Sequence, residues 1–218
     1  MAAHAAATRD HQQMSNGMLG FILFAASEVM FFGGLFAAYF IARADAPQWP
    51  PVDALEALKA AGTASSATAE LKLEWVLTAI ATAILVTSSV TMQLGVWAIQ
   101  RGDRTKLIRW LIISIALGLS FLVIQMYDYS QLEFRARDTI FGTTFYTLTG
   151  FHGLHVFAGA LFMVVILMRS MGGQFSAKNH EAVEACSFYW HFVDVVWIAL
   201  FTILYLIPLF SGKDYIHA

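Results

Sequence analysis

The chain has 218 residues, 58% of them hydrophobic and only 13% charged, with mean hydropathy +0.63 and formal net charge −2. Soluble domains run about 45–50% apolar and about 25% charged, so a water-soluble globule is excluded, and the absence of a large basic cluster excludes nucleic acid as a partner. A single cysteine, Cys186, allows neither an intrachain disulfide nor a thiolate metal cluster.

The first residues, MAAHAAATRDHQQMSN, read as a polar tail rather than a signal peptide, because no short apolar core with a cleavage site follows. Apolar residues then arrive in blocks long enough to cross a bilayer as helices, which takes about 20 residues each. The first predicted span covers residues 18–41 and ends at ARADAPQWPP, where Pro47, Pro50 and Pro51 forbid helix continuation. Residues 44–72 read as an extramembrane loop, rich in Ala, Ser and Thr over 52–69, with a short surface helix expected around 54–60. The second span, 75–99, is followed by the tight turn QRGDRTK; the third covers 108–129, the fourth 141–168 and the fifth 186–207. No strand pattern, low-complexity tract or internal repeat is evident. The expectation is one all-α domain over residues 1–218, a polytopic membrane bundle of five transmembrane helices. Lys and Arg divide almost evenly between the two sides; the dense cluster from Arg101 to Arg109 in a very short turn favours a cytoplasmic N-terminus.

Small residues on the spans, the pairs Gly33/Ala37 and Gly34/Ala38 and then Gly150, Gly153 and Gly159, predict close helix packing within the bundle. Polar residues inside apolar spans carry more information. Glu28 sits near the middle of the first span, where a carboxylate costs roughly 2.5–3.5 kcal/mol. In the fourth span His152 and His155, three apart, share a face. They are half of a metal site, or two buried histidines hydrogen-bonded to neighbouring helices. In the fifth, His191 and Asp194 share a face with Glu184 on the same stripe, and Trp190, Asp194 and Trp197 line up at helical spacing. Asp194 reads as paired with a donor on a neighbouring helix or as part of a proton relay. Arg169 closes the fourth span, either snorkelling or binding a lipid phosphate. The span midpoints put Glu28, His155 and Asp194 within roughly one helical turn of the same depth, with His152 and His191 within about two. Desolvation disfavours an unpaired carboxylate, and imidazole accepts a hydrogen bond from a neutral one. The reading is a buried polar group of Glu28, His152, His155, His191 and Asp194. In it Glu28 faces the interior and bonds a fourth-span histidine, His155 ahead of His152.

SEVMFFGG at 27–34, WPP at 49–51, GDR at 102–104, GFHGLHV at 150–156 and YWHFVDVVW at 189–197 resemble, in order, subunit III of haem-copper cytochrome c oxidases. The resemblance implies an all-α membrane subunit docked on subunit I, beside subunit II and further subunits, in a bacterial plasma membrane. It implies no catalytic residue, metal or redox cofactor in this chain, haem and copper being held by the partners, and a role in integrity and proton uptake with structural phospholipids. It therefore argues against a metal at His152 and His155. In the long form of the family the SEVMFF helix is the third of seven; here it is first, as in the short five-helix bacterial form, so lipid sites carry over weakly. Two alternatives stand beside this reading. One is the equivalent subunit of a quinol oxidase, which a copper-binding subunit II would exclude. The other is an independent transporter using Glu28, His152 and Asp194, which the lack of a repeat disfavours.

Overall fold

Long apolar blocks punctuated by Gly, Pro and Asp become helices here because a chain in hydrocarbon must satisfy every backbone group internally. The computed structural model describes residues 16–46, 49–51, 56, 60, 73–132, 134–210 and 216–217. Among the described residues, five helices are long and apolar enough to cross a membrane. They are α1 (Asn16–Asp45), α2 (Trp75–Gln100), α3 (Arg104–Gln131), α4 (Ile140–Met171) and α5 (Glu181–Phe201). A π-helical turn (Thr202–Leu206) carries α5 into a last short helix, α6 (Ile207–Phe210). The first four are longer than their predicted spans, and α5 starts five residues before its predicted span and hands over to the π-helical turn before that span ends. The expected polar tail, nearly all of the Ala-rich loop and most of its surface helix lie outside the described residues.

The connections explain those ends. After α2, Gly102 (φ +79°) adopts a left-handed conformation. Its N–H donates to Ile99 O at 2.8 Å, and Asp103 N donates to Ala98 O at 2.9 Å, a Schellman closure. Asp103 then caps α3, its Oδ1 accepting from Lys106 N at 3.0 Å. Thr139 caps α4 through Gly142 N at 3.0 Å. The turn after α4 repeats the device. Gly173 (φ +75°) donates to Ser170 O, and Gln174 N donates to Arg169 O. A Cβ on Gly173 would also lie 2.6 Å from Nη1 of Arg104, so that glycine serves the turn and the contact together.

α5 packs on α2, α4 and α1, while α3 bridges α2 and α4, and α1 packs on α4 and, less, on α5. Trp190 of α5 is buried in the core. Its indole fills space that a Cβ on Gly118 of α3 or Gly159 of α4 would enter, at 2.7 and 2.8 Å, and its Nε1 donates to Ser88 Oγ of α2 at 2.9 Å. Two turns on, Trp197 donates to Thr82 Oγ1 at 2.9 Å. Thr91 and Ser114 hydroxyls join α2 to α3 at 2.7 Å, and Tyr129 OH donates to Thr149 of α4 at 2.6 Å. Such bonds hold membrane helices together where hydrophobic burial gives little.

Two expectations need correction. Among the described residues, Gly159 alone of the predicted small residues packs closely on a neighbouring helix. Gly33, Gly34, Gly150 and Gly153 have open space where a Cβ would stand, and Ala37 and Ala38 are exposed. A small residue permits close approach, but the partner for these faces is not among the described residues. There is also a strand pair where none was expected: β1 (Leu73–Glu74) runs parallel to β2 (Ile216–His217), too short for any periodic pattern to announce.

Candidate functional site

The seam between α1 and α4 holds a polar contact near the middle of both helices. Glu28 Oε2 and His155 Nε2 lie 2.8 Å apart. His155 Nδ1 is 2.7 Å from Phe151 O, a carbonyl that only accepts, so Nδ1 carries hydrogen. Nε2 is left to meet the Glu28 carboxyl, so one imidazole ties its own helix backbone to α1. Phe31 and Phe32 pack their rings on His155, and Tyr189 of α5 donates to the His155 carbonyl at 3.3 Å. The side chains are 19% and 15% exposed, which places the contact at the edge of the seam rather than in a dry core.

The other polar residues singled out from the sequence lie elsewhere. His152 is fully buried, stacked on Trp197 at 4.8 Å and edge-on to Phe121 at 5.9 Å, with neither ring nitrogen hydrogen-bonded. A spacing of three leaves about 60° between two helical side chains. That is enough to send His155 to α1 and His152 toward α3 and α5. His191 hydrogen-bonds Gln93 of α2 at 3.2 Å. Asp194 lies beside the Ser89 hydroxyl, although Ser89 Oγ and Asp194 Oδ1 form no hydrogen bond of good geometry. Glu184 is farther off again, accepting from Gln100 Nε2 at 2.9 Å and facing His180 Nε2 at 3.2 Å. The five residues thus occupy four separate points rather than one network, because α4 and α5 each turn their polar groups toward different neighbours.

Arg169 is exposed at the end of α4. Its Nε donates to Gln174 Oε1 at 2.8 Å and its guanidinium lies 4.9 Å above the Phe175 ring. This geometry fixes the arm while the terminal nitrogens make no hydrogen bond among the described residues. Nearby, hydrogen bonds from the Lys106 side chain and backbone hold the Asp103 carboxyl below its ordinary value.

Sequence reasoning passed over Asp128 and Gln125, both buried on α3. The signal was available, since an acid and an amide stand inside the third predicted span. Ser88 and Thr82, which receive the two indoles, gave no signal, because hydroxyls are common in membrane helices and usually bond their own backbone. Among the described residues no three His, Cys, Asp or Glu side chains converge as metal ligands would. The arrangement is a set of helix-to-helix fasteners.

A family model described as cytochrome c oxidase subunit III matches residues 2–208. The chain is 42% identical over 191 residues to the cytochrome c oxidase subunit 3 of Synechocystis sp., covering 87% of this chain and 75% of that one. It is 39% identical over 201 residues to that of Thermostichus vulcanus, covering 92% of each. It is 40% identical over 193 residues to the probable cytochrome c oxidase subunit 3 of Mycobacterium tuberculosis, covering 87% of each. The chain belongs to the cytochrome c oxidase subunit III family.

Proposed function

We propose that this family member is the non-catalytic third subunit of a proton-pumping cytochrome c oxidase in a bacterial plasma membrane, its N-terminus cytoplasmic. It steadies subunit I, supports proton uptake there and holds phospholipid. Haem and copper belong to its partner subunits, electrons entering through subunit II. The observation that carries the reading is the family match along nearly the whole chain, in step with all five spans. The site geometry agrees: Glu28 with His155, His191 with Gln93, Trp190 with Ser88 and Trp197 with Thr82 each join one helix to another, as a scaffold requires. Glu28 and His155 act structurally, fixing α1 to α4. Arg169, held over Phe175 with free donors at the end of α4, would meet a lipid phosphate.

The relatives carry cytochrome c names, which favours that donor over a quinol. The test is to purify the complex through a tag on this chain, record its haem spectrum, and compare oxidation of reduced cytochrome c with that of a quinol. Cytochrome c oxidation by a complex with a copper-bearing subunit II is expected. Quinol oxidation alone would overturn the reading. For Arg169, the Gln variant should co-purify with less phospholipid by native mass spectrometry, and unchanged lipid would remove that assignment.

A further inference from the structure

The bonds that cross the bundle fix which residues share a level. Between α2 and α5, Ser88 meets Trp190 and Thr82 meets Trp197. Continued toward the start of α2, that antiparallel register sets Glu74 and Thr78 level with Tyr205 in the π-helical turn. Between α2 and α3, Thr91 meets Ser114, which sets the same two residues level with Asp128. Four oxygen-bearing side chains from three packed segments therefore gather at the α3–α4 loop end of the bundle. A π-helical turn, a feature frequent at functional sites, supplies one of them.

This cluster is rich in acceptors and poor in positive charge. Asp128 is 6% exposed, and its carboxyl stands close enough to Glu74 to feel that charge. Among the described residues no hydrogen-bond donor reaches it and no basic group acts on it. Tyr205, 1% exposed, turns a hydroxyl with no hydrogen-bond partner toward Asp128 and Thr78. Thr78 donates its own hydroxyl proton to the Glu74 carbonyl at 2.9 Å, which leaves lone pairs on its oxygen. α3 ends here too, at Gln131, with no basic residue in its last turn. Its terminal carbonyls form the negative end of the helix dipole. A buried carboxylate facing a second one needs a proton or a cation. Depth favours the cation. α3 has 28 residues, about 42 Å of rise against a hydrocarbon core about 30 Å thick, so roughly 6 Å projects at each end. Asp128 stands three residues before the end of α3, about 4.5 Å of rise, and so just outside the hydrocarbon. Glu74 is exposed and gives the site a mouth.

We propose that Asp128 and Glu74 bind a calcium ion, with the Thr78 and Tyr205 oxygens, an end carbonyl of α3 and water completing its shell. Every donor is an oxygen, which selects a hard cation over zinc, iron or copper. Calcium accepts six to eight oxygens of mixed kind in a flexible geometry, whereas magnesium demands a near-ideal octahedron. Two carboxylates match a double charge, which sodium does not. With so few charged ligands the affinity falls on the order of 10⁻⁴–10⁻³ M, the range of extracellular calcium modules. The ion ties the start of α2 to the end of α3 and the last turn of the chain's fifth span. Glycine turns close the far ends of α2 and α4, but α3 runs into extended backbone at Leu132.

The test uses the protein purified through a tag on this chain, with the subunits that accompany it, after dialysis against a chelator. Binding of radioactive calcium and the thermal midpoint are followed together. The wild type should bind one calcium more than Asp128→Asn does, which discounts any ion held by another subunit. About 5 mM calcium should raise the wild-type midpoint by about 3–6 °C and leave that of Asp128→Asn in place. Without calcium, Asp128→Asn should be at least as stable as the wild type, since the amide removes the repulsion from Glu74. Glu74→Gln should weaken binding about tenfold, and Tyr205→Phe, which keeps the ring, by a smaller factor. Asp103→Asn, at the opposite end of α3, should bind calcium as the wild type does. Equal calcium counts in the wild type and Asp128→Asn would overturn the proposal and leave Asp128 neutralised by its own proton. A calcium-dependent rise in the Asp128→Asn midpoint equal to that of the wild type would overturn it as well.

Discussion

α5 and α1 are both membrane-length helices of similar composition, yet the molecule treats them in opposite ways. Half of the most apolar stretch of the span Glu181–Phe210, which α5 begins, is buried inside the chain, against 11% of that of α1. α5 inserts two indoles among α2, α3 and α4, each donating to a hydroxyl and one closed in by two glycines. α1 lies against α4 and α5 along a thin aromatic seam that carries the side-chain hydrogen bond from Glu28 to His155. Hydrophobicity therefore does not set how firmly a membrane helix is held. Shape fit and polar contacts do, since lipid is as good a solvent for Leu as another helix is.

If that comparison is right, equal insults to the two helices should have unequal effects. Trp190→Ala should cost the detergent-solubilised chain about 3–5 kcal/mol in unfolding free energy, as large aromatic truncations in tight sites do. Phe24→Ala on α1, 45% exposed, should cost a small fraction of that. A loss at Trp190 no greater than at Phe24 would break the contrast. Gly159→Val should be destabilising by about 1–3 kcal/mol through overpacking, since a Cβ there stands 2.8 Å from the Trp190 ring. Gly33→Val, with nothing nearby, should leave the thermal midpoint where it was.

The α1 attachment makes its own prediction. Glu28→Leu leaves the His155 Nε2 unmatched and should weaken the α1–α4 seam by about 1–3 kcal/mol, whereas Glu28→Gln should be tolerated because its amide also bonds imidazole. Spin labels on α1 and α4 would report the loosening as a broadened distance distribution. Loss of oxidase turnover in Glu28→Gln, with the complex intact, would make Glu28 a proton carrier instead of a fastener.

The smallest effect lies in the turn between α2 and α3. Asp103 is held below its ordinary carboxylate value by Lys106. Its contribution is therefore full above the unfolded value and disappears as pH falls through the lower folded one. Lys106→Met should move the Asp103 titration, followed by carboxyl carbon shifts, back upward. Faster exchange of the Lys106 amide at low pH should accompany loss of the cap.

The number of spans and their order were legible in the sequence because each is an uninterrupted apolar block ended by Pro, Gly or Asp. Depth was legible too, since 1.5 Å per residue converts position into level, and Glu28 and His155 lie at one level and touch. Azimuth was not. Nothing in a three-residue spacing said that His152 would turn away to stack on Trp197. Nor could composition separate Gly159, which receives an indole, from Gly33 and Gly150, which receive nothing from their own chain. A glycine specifies room and leaves open whose side chain enters it.

The slot around Trp190 also has a consequence for biogenesis. A ribosome delivers α2, α3 and α4 to the membrane before α5, so Ser88, Gly118 and Gly159 wait with a vacant space between them until the indole arrives. Over that interval the partly synthesised bundle displays hydroxyls and close-packing surfaces that membrane chaperones and proteases recognise. Entry of the last long span closes the slot, so a nascent chain stalled before residue 190 should be degraded faster than one stalled beyond residue 210.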